Sequence, residues 1–197
     1  EDRCRRARAA LGIDPEQALI VAIGRQEWQK GHDVLLAAVP ELLRAEPGAV
    51  VAIAGRAGGQ TERLRETITR ENLSDHVRLL GFRDDAPELL SAADVFAFPS
   101  RWEGLPGTVL EAMALEAPIV ATDLPMTREV VTREDAMLVP PDDAAALAAA
   151  IVDCLHDRAA AQHRARAARR RVAHEFTIEQ SALGMLRFFE RALGSSG

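Results

Sequence analysis

The sequence predicts an α/β fold: a doubly wound, Rossmann-like parallel sheet of about six strands, with helices on both faces and extra helices at the C-terminal end. Three observations carry this expectation. Short apolar, β-branched runs alternate with longer stretches of helical periodicity over the first two thirds of the chain. The runs are near-continuous in apolar residues rather than alternating, as strands of a parallel sheet covered on both faces require. The length of 197 residues, 48% hydrophobic and 27% charged, suits one sizeable soluble domain.

The elements follow in order. LIVAIG (19–24) is the first strand, ended by Gly24. Helical periodicity over 33–45 places Val34, Leu35, Ala38, Leu42 and Leu43 on one face and stops at Pro47-Gly48. The unit repeats as strand 50–55 and helix 60–73, then strand 77–81 and a short helix 86–93. Strand 95–100, helix 107–116, strand 118–122, a short helix near 127–131 and strand 136–140 complete the alternation. From Asp142 onward the pattern is helical and Ala-rich, broken near Asp157 and near Thr177. The last helix carries Leu183, Leu186, Phe189 and Leu193 on one stripe, and 194–197 reads as a tail.

Composition narrows the function. A net charge of −6 argues against nucleic-acid binding dominated by phosphate contacts. Arg164, Arg166, Arg169, Arg170 and Arg171 nevertheless crowd one segment. They read either as a solvated helix face or as a peripheral contact with anionic lipid headgroups. Cys4 and Cys154 stand alone, without a CxxC partner, and suit reduced thiols in the cytoplasm. No apolar run is long enough for a membrane span, and the opening residues lack a signal-peptide pattern. The five histidines show no metal-ligand spacing, so no metal is expected. Ser100 has no nucleophile-elbow context, and Gly55-Arg56-Ala57-Gly58-Gly59 reads as a simple turn.

In a doubly wound sheet, ligands bind at the carboxyl ends of the strands, so the chemistry should lie in the βα loops. The first of these runs from Gly24 to Gly31 and is neither GxGxxG nor GxxxxGK[ST]. It offers Arg25 and Lys30, a guanidinium fork and a point charge suited to a diphosphate, or else two solvated cations. The loop after the fourth strand is Arg101 to Thr108, with Gly104 and Gly107 leaving backbone N–H groups open at a helix start, a ready anion site. Glu103 and Glu111 flank that turn. Carboxylates repel phosphate, and as pure acceptors they suit sugar hydroxyls. Either glutamate alone could equally be an ordinary surface or early-helix acid.

The stretch PSRWEGLPGTVLEAMALEAPIVATD (99–123) resembles the Glu-x7-Glu signature of retaining glycosyltransferases of family four, with Glu103 and Glu111 as its two acids. GRQEWQKGHDVLLAA (24–38) resembles that family's first Rossmann turn, and the segments LPMTREVV and MLVPPDDAAALAAAI resemble its closing ones. The resemblance runs from about residue 19 to 157 and implies one half of a GT-B fold. It implies that Arg25 and Lys30 hold the donor's pyrophosphate beside Gly24, and that Glu111 accepts from the ribose. It also implies that Glu103 contacts the donor sugar. Backbone amides around Gly104, Leu105, Pro106, Gly107 and Thr108 would cap the phosphate, with the base near Gly81, Phe82 and Arg83. Gln26 stands where the family often has Leu, and Trp28 is unusually large, which leaves the donor's identity open.

The implied partner is a nucleoside-diphosphate sugar, with no metal or other cofactor. In the family the acceptor sits on a preceding domain for which 1–18 leaves no room; those residues resemble the interdomain connector, and 19–193 would be the single nucleotide-sugar-binding domain. An enzyme lacking its acceptor half is therefore expected, at the inner face of the membrane if the arginines touch lipid. Two rival readings are a sugar-nucleotide 2-epimerase half and a non-catalytic nucleotide-sugar-binding module.

Overall fold

The computed structural model describes residues 2–194. Six strands, β1 (Leu19–Ile23), β2 (Val50–Ala54), β3 (Val77–Gly81), β4 (Val95–Phe98), β5 (Ile119–Thr122) and β6 (Met137–Val139), form one parallel sheet in the order β3-β2-β1-β4-β5-β6. The helices are α1 (Asp2–Ala10), α2 (His32–Ala45), α3 (Thr61–Arg70), α4 (Ala86–Ala92), α5 (Gly107–Ala114), α6 (Pro125–Val130), α7 (Ala144–His156), α8 (Arg158–Glu175) and α9 (Ile178–Gly194). The expected alternation is present throughout. From β1 to α9 the differences are confined to boundaries; α3, for example, ends at Arg70 rather than at 73, because Asn72 adopts positive φ. Of the expected tail 194–197, Gly194 instead ends α9, and 195–197 lie outside the described residues.

The continuous apolar runs have a simple origin. Along β1, Ile20 and Ala22 join one core with α2 and α7, while Leu19 and Val21 join another with α1 and α4. A strand buried on both faces needs apolar residues at every position, not at alternate ones. A third cluster forms around Phe96, Phe98, Val109 and Met113, between β4 and α5, with Ala168 of α8 closing it. Strand order reverses between β1 and β4, so the helices that follow them, α2 and α5, pack into different core clusters. The sheet has its switch point there, where such sheets bind ligands at the carboxyl end.

The opening residues, expected as a connector, supply α1, which packs on α4. Ala7, Leu11 and Ile13 are buried there, and Arg8 bonds Asp94 at 2.5 Å and the Gln17 carbonyl at 2.8 Å. At the other end, Ala161, Ala165 and Ala168 let α8 lie close against the domain. Two of the clustered arginines serve that packing: Arg169 pairs with Glu116 at 3.2 Å, and Arg171 with Asp135 and Glu175, each at 3.2 Å. Arg166 and Arg170 are exposed. Among the described residues, no helix is long and apolar enough to cross a membrane.

Candidate functional site

Two loops meet over the carboxyl ends of β1 and β4. After β1 the chain forms a 3-10 turn, Trp28–Lys30, closed by Gly31 in the left-handed region (φ 64°). Gly31 has no substitute there, since a Cβ would lie 1.9 Å from the Pro99 carbonyl oxygen. This close approach brings the first loop against the loop after β4. The stem of Lys30 lies along Gly24, where a Cβ would meet Lys30 carbons at 3.1 and 3.2 Å. Lys30 Nζ then donates to Glu103 Oε1 at 2.7 Å, with the glutamate side chain only 5% exposed.

Arg101 fastens the two loops. Its fork donates to both Asp33 oxygens at 2.8 Å, Nε donates to Asp142 at 2.6 Å, and Nη1 also reaches the Trp28 carbonyl at 2.6 Å. Its guanidinium also lies 4.4 Å from the Trp28 ring centre. Burial alone would raise the Asp33 carboxyl, but the hydrogen bonds and charge of Arg101 outweigh it and hold Asp33 below the usual carboxylate range. The first loop is further tied to the loop after β2. Gln26 is buried and its N–H donates to the Arg56 carbonyl at 3.0 Å. His32, buried beneath, contacts the Gly24 carbonyl at 3.2 Å, and desolvation lowers its pKa.

Beside this junction lies a cavity of about 590 Å³, lined by Gly24 and Arg25 from the first loop, Arg56 from the second, Phe82 and Arg83 from the third, and Thr108 and Glu111 from α5. Arg25 is largely exposed, with Glu27 3.4 Å away. Arg56 stacks 4.9 Å from the Phe82 ring centre. Arg83 forks onto Asp85 at 2.7 and 2.5 Å, a hydrogen-bonded pairing that lowers the Asp85 pKa. The wall is thus cationic and partly aromatic, with one exposed carboxylate, Glu111. Such a lining suits an anion attached to a planar group.

The model of the family described as glycosyl transferases group 1 matches residues 5–171. The chain belongs to this family. The lipopolysaccharide core biosynthesis mannosyltransferase LpsB of Rhizobium meliloti is 32% identical over 191 residues, covering 93% of this chain and 54% of LpsB. A glycogen synthase of Mycobacterium tuberculosis is 36% identical over 162 residues, covering 81% of this chain and 39% of the synthase. The crystal structure of Anabaena HepE in complex with UDP and glucose superposes with a TM-score of 0.86 at 26% identity, over 94% of this chain and 52% of HepE. The chain therefore spans about half, or less, of the length of these relatives, and its six-stranded layout is that of one half of a GT-B glycosyltransferase.

Within this group 1 glycosyltransferase domain, the residues singled out from sequence fall into three sets, the last being the turn from Gly104 to Gly107, which does not line the cavity. Gly24, Arg25, Arg83, Thr108 and Glu111 line the cavity together. Lys30 and Glu103 lie just beyond it and neutralise each other. Gly104 and Gly107 do front open space, since a Cβ at either would meet nothing within 4 Å. The Gly107 N–H, expected to be open, instead donates to the Leu105 carbonyl at 2.9 Å, because Pro106 turns the chain tightly before α5. Leu105 is 70% exposed, and Pro106 is buried. Sequence reasoning passed over Arg56, read as part of a turn, and Arg101. The signal for Arg56 was its position directly after a strand-ending glycine; nothing local marked Arg101. Among the described residues, no group of three or more His, Cys, Asp and Glu is placed to hold a metal ion.

Proposed function

We propose that this domain is the donor-binding half of a retaining glycosyltransferase that moves a sugar from a nucleoside-diphosphate sugar to an acceptor hydroxyl. The cationic cavity beside the Lys30–Glu103 pair supports this most directly. The nucleotide would occupy the cavity, its base toward Phe82 and Arg83 and its ribose hydroxyls donating to Glu111. The diphosphate would lie between Arg25 and Lys30, with the backbone from Gly104 to Thr108 closing over it. Two cations balance much of its charge, so no metal is needed in this reading.

The ion pair gives the site a sequence of events. An incoming diphosphate competes with Glu103 for Lys30. Once Lys30 turns to phosphate, the Glu103 carboxylate is left as an unpaired acceptor, and the donor's sugar hydroxyls are the donors available to it. Binding of the two halves of the donor is thereby coupled. As the bond from the anomeric carbon to phosphate oxygen breaks, negative charge grows on the leaving group, where Arg25 and Lys30 stabilise it. The acceptor oxygen bonds to the anomeric carbon on the face the phosphate leaves, its proton passes to the departing phosphate oxygen, and configuration is kept. The acceptor would come from a second domain, and this chain alone would transfer nothing. The free thiols of Cys4 and Cys154 suit a cytoplasmic setting, and exposed Arg166 and Arg170 could meet anionic headgroups.

The test is transfer by the intact enzyme, followed by NMR of the anomeric proton. Retention is expected, and Lys30→Ala or Arg25→Ala should lower kcat by about 10²- to 10³-fold with the fold intact. An inverted product would end the retaining assignment. Near-wild-type turnover in both variants would end the roles given to the cations.

A further inference from the structure

The chain has two tryptophans and no tyrosine, and both tryptophans stand at the candidate site. Trp28 opens the turn that ends at Lys30, and Trp102 directly precedes Glu103. Their ring centres are 5.1 Å apart, with the planes tilted by 53°, and each residue remains 49% exposed. Half-exposed indoles are costly for a domain that buries Phe96 and Phe98 completely or nearly so.

The pair is also held rigidly. Arg101 stacks on Trp28 and bonds its carbonyl, while Asp33 and Asp142 pin the guanidinium. Gln29 Nε2 donates to the Trp102 carbonyl at 2.9 Å, and the Arg101 N–H donates to the Gln29 carbonyl at 2.8 Å. The rings are thus positioned before any ligand arrives, which reduces the ordering cost of binding. Indole faces carry negative π density, and the residue after Trp102 is the carboxylate Glu103, an acceptor that Lys30 holds until phosphate takes the lysine. A sugar ring complements both: its C–H face is weakly positive and its rim is made of hydroxyl donors.

We propose that Trp28 and Trp102 form a saccharide platform, on which the acceptor's sugar ring is held beside the donor. This rests on the donor-site reading, because an acceptor hydroxyl must come within bonding reach of a donor sugar placed by Glu103, the neighbour of Trp102. The platform supplies the wall of the acceptor site that this domain contributes.

Tryptophan fluorescence of this chain arises from these two rings alone. The chain is titrated with maltose and with methyl α-mannoside, with and without UDP or GDP, and with glycerol as a polyol lacking a ring face. Nucleoside diphosphate binding is followed by calorimetry in parallel. Saturable quenching or a blue shift is expected with a sugar, with a dissociation constant on the order of millimolar, and no response to glycerol. Trp102→Leu, read through Trp28, should weaken binding about tenfold, and Trp102→Phe should recover most of the loss. No saturable response to either sugar overturns the platform, as does full binding in Trp102→Leu. A response only to a preceding protein domain would make the pair an interface and also overturn it. Nucleotide binding without a sugar response removes the platform and leaves the donor reading. A sugar response with no nucleotide binding by the chain or by the intact enzyme leaves a sugar site at the two rings but overturns its place beside a donor.

Discussion

Lys30 and Glu103 are 73 residues apart in sequence and 2.7 Å apart in space. Each was identifiable from its own loop, but their contact depends on β1 and β4 being neighbours, which no local pattern states. Arg101 is hidden for the same reason, since its partners are Asp33 in the first turn of α2 and Asp142 in the loop after β6. His32 makes a residue-scale prediction about pH. Burial lowers its pKa below the ordinary 6.5, so the folded state resists a proton that the unfolded chain accepts. Stability is therefore retained above pH 6.5 and is lost as the pH falls below it, by at most about 1.4 kcal/mol per pH unit. Denaturant unfolding from about pH 7.5 to about pH 5.5 checks this against His32→Gln, which keeps an N–H for the Gly24 carbonyl. The stability difference between the two proteins should shrink on acidification; a constant difference would remove His32 as the source.

At the scale of elements, the strands were legible because burial on both faces writes itself as an unbroken apolar run, as in β1 and β2. Helix ends were less so, because they turn on single residues such as Asn72 and Glu116, both at positive φ. The glycines of the site were legible as loop markers, but not their partners: that Gly31 faces the Pro99 carbonyl requires the folded sheet. The helix α1 is not evident in sequence, since its few apolar residues, Cys4, Ala7, Ala9 and Ala10, are small and interrupted by arginines. The helix α9 is the opposite case. Its stripe is evident in sequence, yet Leu183, Leu186, Phe189 and Leu193 are 45 to 78% exposed. An element that buries none of its described side chains in the domain adds little to its stability. Removal of residues 178–197 should shift Tm by less than about 2 °C. A fall of about 10 °C or more would show that the helix is part of the folding unit.

For the molecule as a whole, the order β3-β2-β1-β4-β5-β6 is what makes a site possible. It puts the switch point between β1 and β4, and the cavity beside it collects arginines from the loops after β1, β2 and β3, with Glu111 of α5. Arg101 and Gln26 brace those loops from beneath, so the cationic wall exists before a ligand is present. In the function proposed here, this wall receives a nucleoside diphosphate with Glu111 on its ribose. Calorimetric titration of the chain with UDP, GDP and ADP in metal-free buffer, beside a Glu111→Ala variant, measures it most directly. One nucleotide should bind in preference to the others, and the variant should weaken it about tenfold, as loss of a charged hydrogen-bond acceptor does. Equal binding by the variant, or no binding of any of the three by the chain or by the intact enzyme, would contradict the donor-site assignment.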